Sequence, residues 1–127
     1  MKCLVLDDSQ NRLNEILRIL KPKNIDIECV MTANEAIEKL KNNTYDIICL
    51  DHDLGGLQMQ WCEDNCGMKV VDWIIKNHDK FLNSEIIVHS LNTQRALEMV
   101  QRLNDALLKG YRIPIIQLYN DMKNWNF

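Results

Sequence analysis

The sequence predicts a single α/β domain spanning residues 1–127, a doubly wound parallel sheet of five strands with helices on both faces. Three observations predict it. Short apolar runs alternate with segments of helical period along the 127 residues. No internal repeat or low-complexity tract interrupts that alternation. Ionisable residues gather where the apolar runs end, outside the carboxyl ends of the strands, where open α/β sheets bind their ligands. The length suits one domain whose core needs no disulfide or metal staple.

Each element has a local reason. Lys2 to Leu6 is a strand, apolar after its first residue, and it leaves through Asp7-Asp8. Ser9 starts a helix with the stripe Leu13, Ile16, Leu17 and Leu20, and Pro22 stops it. Ile25, Ile27, Cys29 and Met31 alternate with Asp26, Glu28 and Val30, the pattern of an edge strand with one face less covered. Thr32 with Glu35 makes a capping box, and Ala33, Ala36, Ile37 and Leu40 form a stripe that ends near Asn42-Asn43.

Residues 46–51 are the central strand. Its apolar run, Ile47 to Leu50, opens abruptly into Asp51-His52-Asp53-Leu54-Gly55-Gly56. A long loop from Leu54 to about Cys66 carries Trp61, Glu63 and Asp64, a length typical of functional lids or disorder. From Gly67 a helix buries Val70, Val71, Ile74 and Ile75, with Trp73 on its flank, and fades at Asn77-His78. Ile86 to Val88 is a fourth strand that leaves through His89-Ser90-Leu91-Asn92. Asn92 or Thr93 caps a helix with the stripe Ala96, Met99, Val100, Leu103 and Leu107, closing at Lys109-Gly110. Ile113 to Ile116 is expected as the fifth strand, on an edge because Pro114 cannot donate to a ladder. One helical turn then places Leu118, Met122 and Trp125 on one side.

Composition narrows the function. The net charge of −3, with Lys and Arg scattered among acids, leaves no basic stripe for duplex nucleic acid. A small nucleotide or a single RNA terminus remains compatible. No apolar run reaches membrane-spanning length, and the run from Met1 to Leu6 stops at Asp7, too early for a signal peptide. The expectation is a soluble, cytoplasmic protein that binds no membrane. Cys3, Cys29 and Cys49 fall in strands as small hydrophobes. Cys62 and Cys66 have a three-residue spacer unlike the usual zinc or redox spacing, so reduced thiols are expected there.

Five strands suit the flavodoxin-like order 2-1-3-4-5. That order sets strand 3 between strands 1 and 4, each about 4.8 Å away, so Asp7-Asp8, Asp51-His52-Asp53 and His89-Ser90-Asn92 converge on one pocket.

At these residues the chain resembles the receiver domain of two-component signalling. Asp7, Asp8, Asp51 and Ser90 match that pattern, whereas the lysine that receivers carry after strand 5 has no counterpart in Gln117-Leu118-Tyr119-Asn120. A closer resemblance is to the cyclic-phosphate-processing receiver-like domains. Their marks are similar to Asp7-Asp8-x-x-x-Arg12, Leu50-Asp51-His52-Asp53-Leu54-Gly55, the Gly67-led helix with Trp73, and His89-Ser90-x-Asn92. The resemblance implies activity on a cyclic phosphate, on a phosphorylated small molecule, nucleotide or RNA terminus.

The residue types permit that chemistry. Converging carboxylates repel, and a hard divalent cation relieves the repulsion, so Mg2+ or Mn2+ is expected on Asp51 with Asp7 or Asp8. Asp8 alone also reads as a helix N-cap. His52 and His89 are the candidates for the two proton transfers of ring opening, although His89 also fits a hydrogen-bonded core histidine. Asp51 completes the catalytic set. Ser90, Asn92, Asp53 and Arg12 are the candidates for holding phosphate oxygens, Arg12 fitting equally a solvated surface position. His78, at a helix end, needs no role. Trp61 is suited to stack on a base or to anchor its loop. Two readings follow: a metal-dependent phosphoesterase, or a non-catalytic module that binds a phosphorylated ligand or accepts phosphate on Asp51.

Overall fold

A computed structural model describes residues 1–54 and 65–126. The strands are β1 (Lys2–Leu6), β2 (Asp26–Val30), β3 (Ile47–Leu50), β4 (Glu85–Val88) and β5 (Lys109–Arg112). They form one parallel sheet in the order β2-β1-β3-β4-β5, as the sequence predicts. The helices are α1 (Gln10–Leu20), α2 (Ala33–Asn42), α3 (Gly67–Lys76), α4 (Thr93–Asp105) and α5 (Ile115–Lys123). No helix among the described residues is long and apolar enough to cross a membrane.

Caps start the helices where side-chain chemistry places them. Ser9, Thr32 and Asn92 each accept a backbone N–H from the third residue on, at Arg12, Glu35 and Arg95. The Thr32 hydroxyl also donates to the Glu35 carboxylate at 3.0 Å, so the two signature residues are tied side chain to side chain.

The pleat sorts the core into two layers. Leu4, Leu6, Ile48, Leu50, Ile86 and Val88 face α2, α3 and α4. Cys3, Val5, Ile47, Cys49 and Ile87 face α1 and α5, packing on Leu13, Ile16, Leu118 and Met122. Gly67 packs the start of α3 directly against the β3 exit, because a Cβ there would lie 2.1 Å from the Asp51 carbonyl oxygen. No other residue lets α3 start so close beneath β3.

The C-terminal third corrects the sequence reading. The fifth strand is residues 109–112, not 113–116, and it pairs with β4 from Glu85↔Lys109 to Val88↔Arg112. Its displacement follows from the end of α4. That helix stops at Asp105, and Leu107 takes a left-handed backbone (φ 62°) while Leu108 N–H bonds the Leu103 carbonyl. This is the closing geometry in which glycine is usual. Leu107 is therefore 84% exposed instead of sitting in the helical stripe. The apolar run 113–116 instead opens α5, where Ile115, Leu118 and Met122 form the buried face and Ile116 points outward. The expected single turn is a nine-residue helix.

Cys3, Cys29 and Cys49 are free thiols on one face of the sheet. Cys66, the buried N-cap of α3, is disulfide-bonded where a reduced thiol was expected. Cys62, Trp61, Glu63 and Asp64 lie outside the described residues.

Candidate functional site

Register builds the site. Leu6, Leu50 and Val88 are aligned across β1, β3 and β4, so Asp7, Asp51 and His89 each lie one residue past a strand end on adjacent strands. Because the aligned leucines and valine face α2, α3 and α4, the next residue on each strand turns to the α1 side. There the three groups meet: one ligand atom from each of Asp7, Asp51 and His89 lies within 4.8 Å of the other two.

Asp7 is the hub, with no solvent exposure at all. Its Oδ1 accepts Ser9 N–H at 2.8 Å and Arg12 Nη2 at 3.1 Å. Oδ2 accepts Arg12 Nε at 2.9 Å and lies 2.9 Å from His89 Nε2. Burial alone pushes the Asp7 carboxyl up, but the hydrogen bonds of His89 and Arg12 and the charge on His89 outweigh it and hold its pKa below the ordinary value. Arg12 also reaches Asp51 at 3.4 Å and Asp8 at 3.8 Å, so one guanidinium bridges all three carboxylates.

Asp51 is left undercompensated. Burial is the largest influence on it, the nearby His89 and Arg12 charges oppose that, and Asp7 adds repulsion; the result is a carboxyl pushed up to about 6. A single added positive charge would relieve it. The donor set therefore fits a divalent cation, two carboxylates and an imidazole with Asp8 close by. Asp7, however, already accepts four hydrogen bonds or ion-pair contacts, so a cation there competes with Arg12 or His89. The other ring nitrogen of His89, Nδ1, is buried with no partner among the described residues.

Above this cluster lies a pocket of about 260 Å³ lined by Asp8, Arg12, Asp51, Asp53, His89 and Ser90. It is smaller than the roughly 300–1,000 Å³ of sites that enclose a drug-sized ligand, and it suits a cation with a phosphoryl group better than a whole nucleotide.

Two expected members stand apart. His52 does not join the carboxylate pocket. The chain bends at His52, between the end of β3 and the Asp53↔Cys66 bridge, with Gly67 N–H on the His52 carbonyl at 2.9 Å, and the His52 side chain lines the opposite face against α3 and α4. Its backbone N–H donates to Asp51 Oδ1 at 2.8 Å, and its ring connects back through Nδ1, 2.7 Å from Asp53 Oδ1. Asn92 is committed as the α4 cap through its Oδ1 to Arg95 N–H, and its own N–H is taken by the Ser90 hydroxyl at 3.1 Å. Sequence reasoning missed Arg112, whose Nη2 lies 3.4 Å from the Ser90 carbonyl and 3.3 Å from Thr93 Oγ1. An arginine closing β5 becomes visible only once that strand is placed at 109–112. The same correction moves the strand-5 exit: the residue in line with His89 is Ile113, so the receiver-type lysine is absent there too.

Fold and cluster together define a receiver-like α/β domain with acidic and histidine strand exits. The chain belongs to the cyclic-phosphate processing receiver domain family, whose sequence model matches residues 2–105. Its fold is similar to those of solved receivers. A CheY-like receiver domain protein from Methanospirillum hungatei matches with a TM-score of 0.68 at 19% identity, covering 97% of this chain and 90% of that one. The receiver domain of the Francisella response regulator 1452 matches at 0.66 and 22% identity, covering 97% and 96%. The response regulator TrrA of Thermotoga maritima, solved with Mg2+ and BeF, matches at 0.68 and 20% identity, covering 97% and 96%. Comparison with curated proteins gives no match.

Proposed function

We propose that the protein is a metal-dependent phosphoesterase that opens a cyclic phosphate carried by a nucleotide, an RNA end or an ADP-ribose derivative. The observation that carries the reading is the Asp7, Asp51 and His89 trio at three adjacent strand ends beneath a pocket of phosphoryl size. Family membership supports the substrate class. A receiver neighbour whose structure includes Mg2+ supports the metal.

Asp51 with Asp8 or Asp7 would hold Mg2+ or Mn2+, which supplies Lewis-acid charge to phosphoryl oxygens when bound. Arg12 and the Ser90 hydroxyl line the same pocket and bind the remaining oxygens. Asp51 takes the proton from the attacking water. His89 returns a proton to the departing ring oxygen, so one P–O bond forms, one breaks and the product is a phosphomonoester with a free hydroxyl. Asp7 orients the His89 ring from its buried side. His52 acts here only through Asp53, as a positioning residue.

The test is turnover of nucleotide, RNA-terminal and ADP-ribose cyclic phosphates with Mg2+, Mn2+ or chelator. His89→Ala is expected to slow turnover by about a hundredfold or more, while His52→Ala slows it less. Wild type that binds members of this panel yet turns over none, with either metal, overturns the enzyme reading in favour of a binding module.

A further inference from the structure

We infer that the opposite face of the sheet carries a second ligand site, suited to a small organic phosphate with a flat ring and a hydrogen-bonding group, of nucleoside monophosphate type. A cleft of about 530 Å³ lies against α3 and α4, with Met68, Trp73, Lys69, Lys76, Arg95 and His52 in its wall. That volume falls within the range of sites that enclose small ligands.

His52 supplies the observation that points to a ligand. Its side chain is only 6% exposed, its Nδ1 is occupied by Asp53, and its buried Nε2 has no partner among the described residues. Buried polar atoms are rarely left unpaired in native proteins. A carboxylate only accepts, so Nδ1–H donates to Asp53, and Nε2 is left for a hydrogen-bonding group such as a hydroxyl.

The wall's charge sets the rest of the ligand. It holds four cations and two acids in a chain of net charge −3. Arg95 is paired with Glu98 at 3.1 Å and Arg102 with Asp72 at 2.9 Å. Lys69 bonds only the neutral Asn34 amide at 2.9 Å, and Lys76 has no ion pair among the described residues. Two uncompensated ammonium groups favour an anion. Met68 and Trp73 share the same wall, the indole braced edge-on against Phe81 with centroids 6.0 Å apart, an apolar surface for a flat ring.

This site is separate from the carboxylate pocket, and its test distinguishes the two. Adenosine 5′-monophosphate, adenosine and inorganic phosphate are each titrated into histidine-labelled full-length protein with chelator present, and the ring signals of His52 and His89 are followed by NMR. The expected result is a saturable shift at His52 with the monophosphate, at least tenfold weaker binding of either fragment, and a quiet His89. Lys76→Glu is expected to weaken binding about tenfold or more and Lys76→Arg to retain it, Lys69→Gln serving as the second charge variant. No saturable His52 shift at millimolar ligand, or affinity indifferent to both lysine substitutions, overturns the site. So does phosphate alone matching the monophosphate. A shift at His89 with His52 silent places the ligand in the carboxylate pocket and overturns only this second site. Loss of cyclic-phosphate turnover, by contrast, bears on the catalytic reading and not on this one.

Discussion

Asp51 gives the sharpest physical test, because its ionisation works against the fold. Its carboxyl is raised from 3.8 to about 6, chiefly by burial. A difference of about two units at 1.36 kcal/mol each corresponds to about 3 kcal/mol. The sign follows from proton counting. Between the unfolded and folded values the native state keeps a proton that the unfolded chain has released, so stability falls as pH rises through that window. The protonated carboxyl's advantage is fully present below the unfolded pKa and gone above the folded one. Asp51→Asn keeps the size and removes the ionisation. In chelator, urea unfolding followed by tryptophan fluorescence is expected to give equal stability for the two proteins near about pH 4, and a variant more stable by up to about 3 kcal/mol near about pH 8. Asp7, held below its ordinary value by His89 and Arg12 against its own burial, gives the opposite pH slope in both proteins, so the difference between the two proteins is what is read. Saturating Mn2+ or Mg2+ is expected to stabilise wild type and not the variant, narrowing or reversing the gap at high pH. A gap independent of pH, or a variant less stable than wild type at high pH in chelator, refutes the argument.

Arg12 bridges the carboxylates that a cation would use, so Arg12→Gln should lower the melting temperature in chelator yet tighten Mn2+ binding by about tenfold or more in calorimetry. Unchanged affinity would show that the guanidinium and the cation do not compete. Leu107 spends an exposed side chain on a left-handed backbone, so Leu107→Gly should raise unfolding stability by about 1 kcal/mol in urea titration; a loss would mean the side chain matters more than φ. Incubation with a small phosphodonor and Mg2+ should leave no long-lived phosphoryl adduct on Asp51 by intact mass, because Ile113 stands where a receiver-type lysine would compensate the new charge. A stoichiometric, durable adduct would restore the signalling reading.

The strand order and the three strand exits were legible because apolar runs ending in Asp7, Asp51 and His89 carry their own punctuation. β5 was not, since Lys109-Gly110-Tyr111-Arg112 has little apolar character and its burial is slight, whereas the more apolar Ile113 to Ile116 looked like a strand. Leu107 compounded the error: a leucine in the position glycine usually takes hides the end of α4. The aim of His52 was hidden for a different reason. Ile47, Ile48, Cys49 and Leu50 are all buried, as befits a central parallel strand covered on both faces, so no alternation reveals which face the next residue takes.

That parity had to come from register. The half-covered edge strand β2 does alternate, and Cys29 on the α1 side is aligned with Val5, which is aligned with Cys49. Parallel neighbours in register share faces, so the edge strand fixes the face of Cys49, hence that of Asp51 two residues on, and His52 must face away. Three consecutive ionisable residues thus serve different surfaces: Asp51 and Asp53 line the carboxylate pocket while His52 lines the cleft behind it. The contact at 2.7 Å between Nδ1 and Asp53 is the only hydrogen bond of the His52 ring among the described residues, whereas its backbone N–H donates to Asp51 Oδ1 at 2.8 Å whatever side chain the residue carries. A substitution at His52 therefore reaches the carboxylate pocket by releasing Asp53, and one at His89 reaches it directly, which is why the two histidines are expected to differ in their effect on turnover.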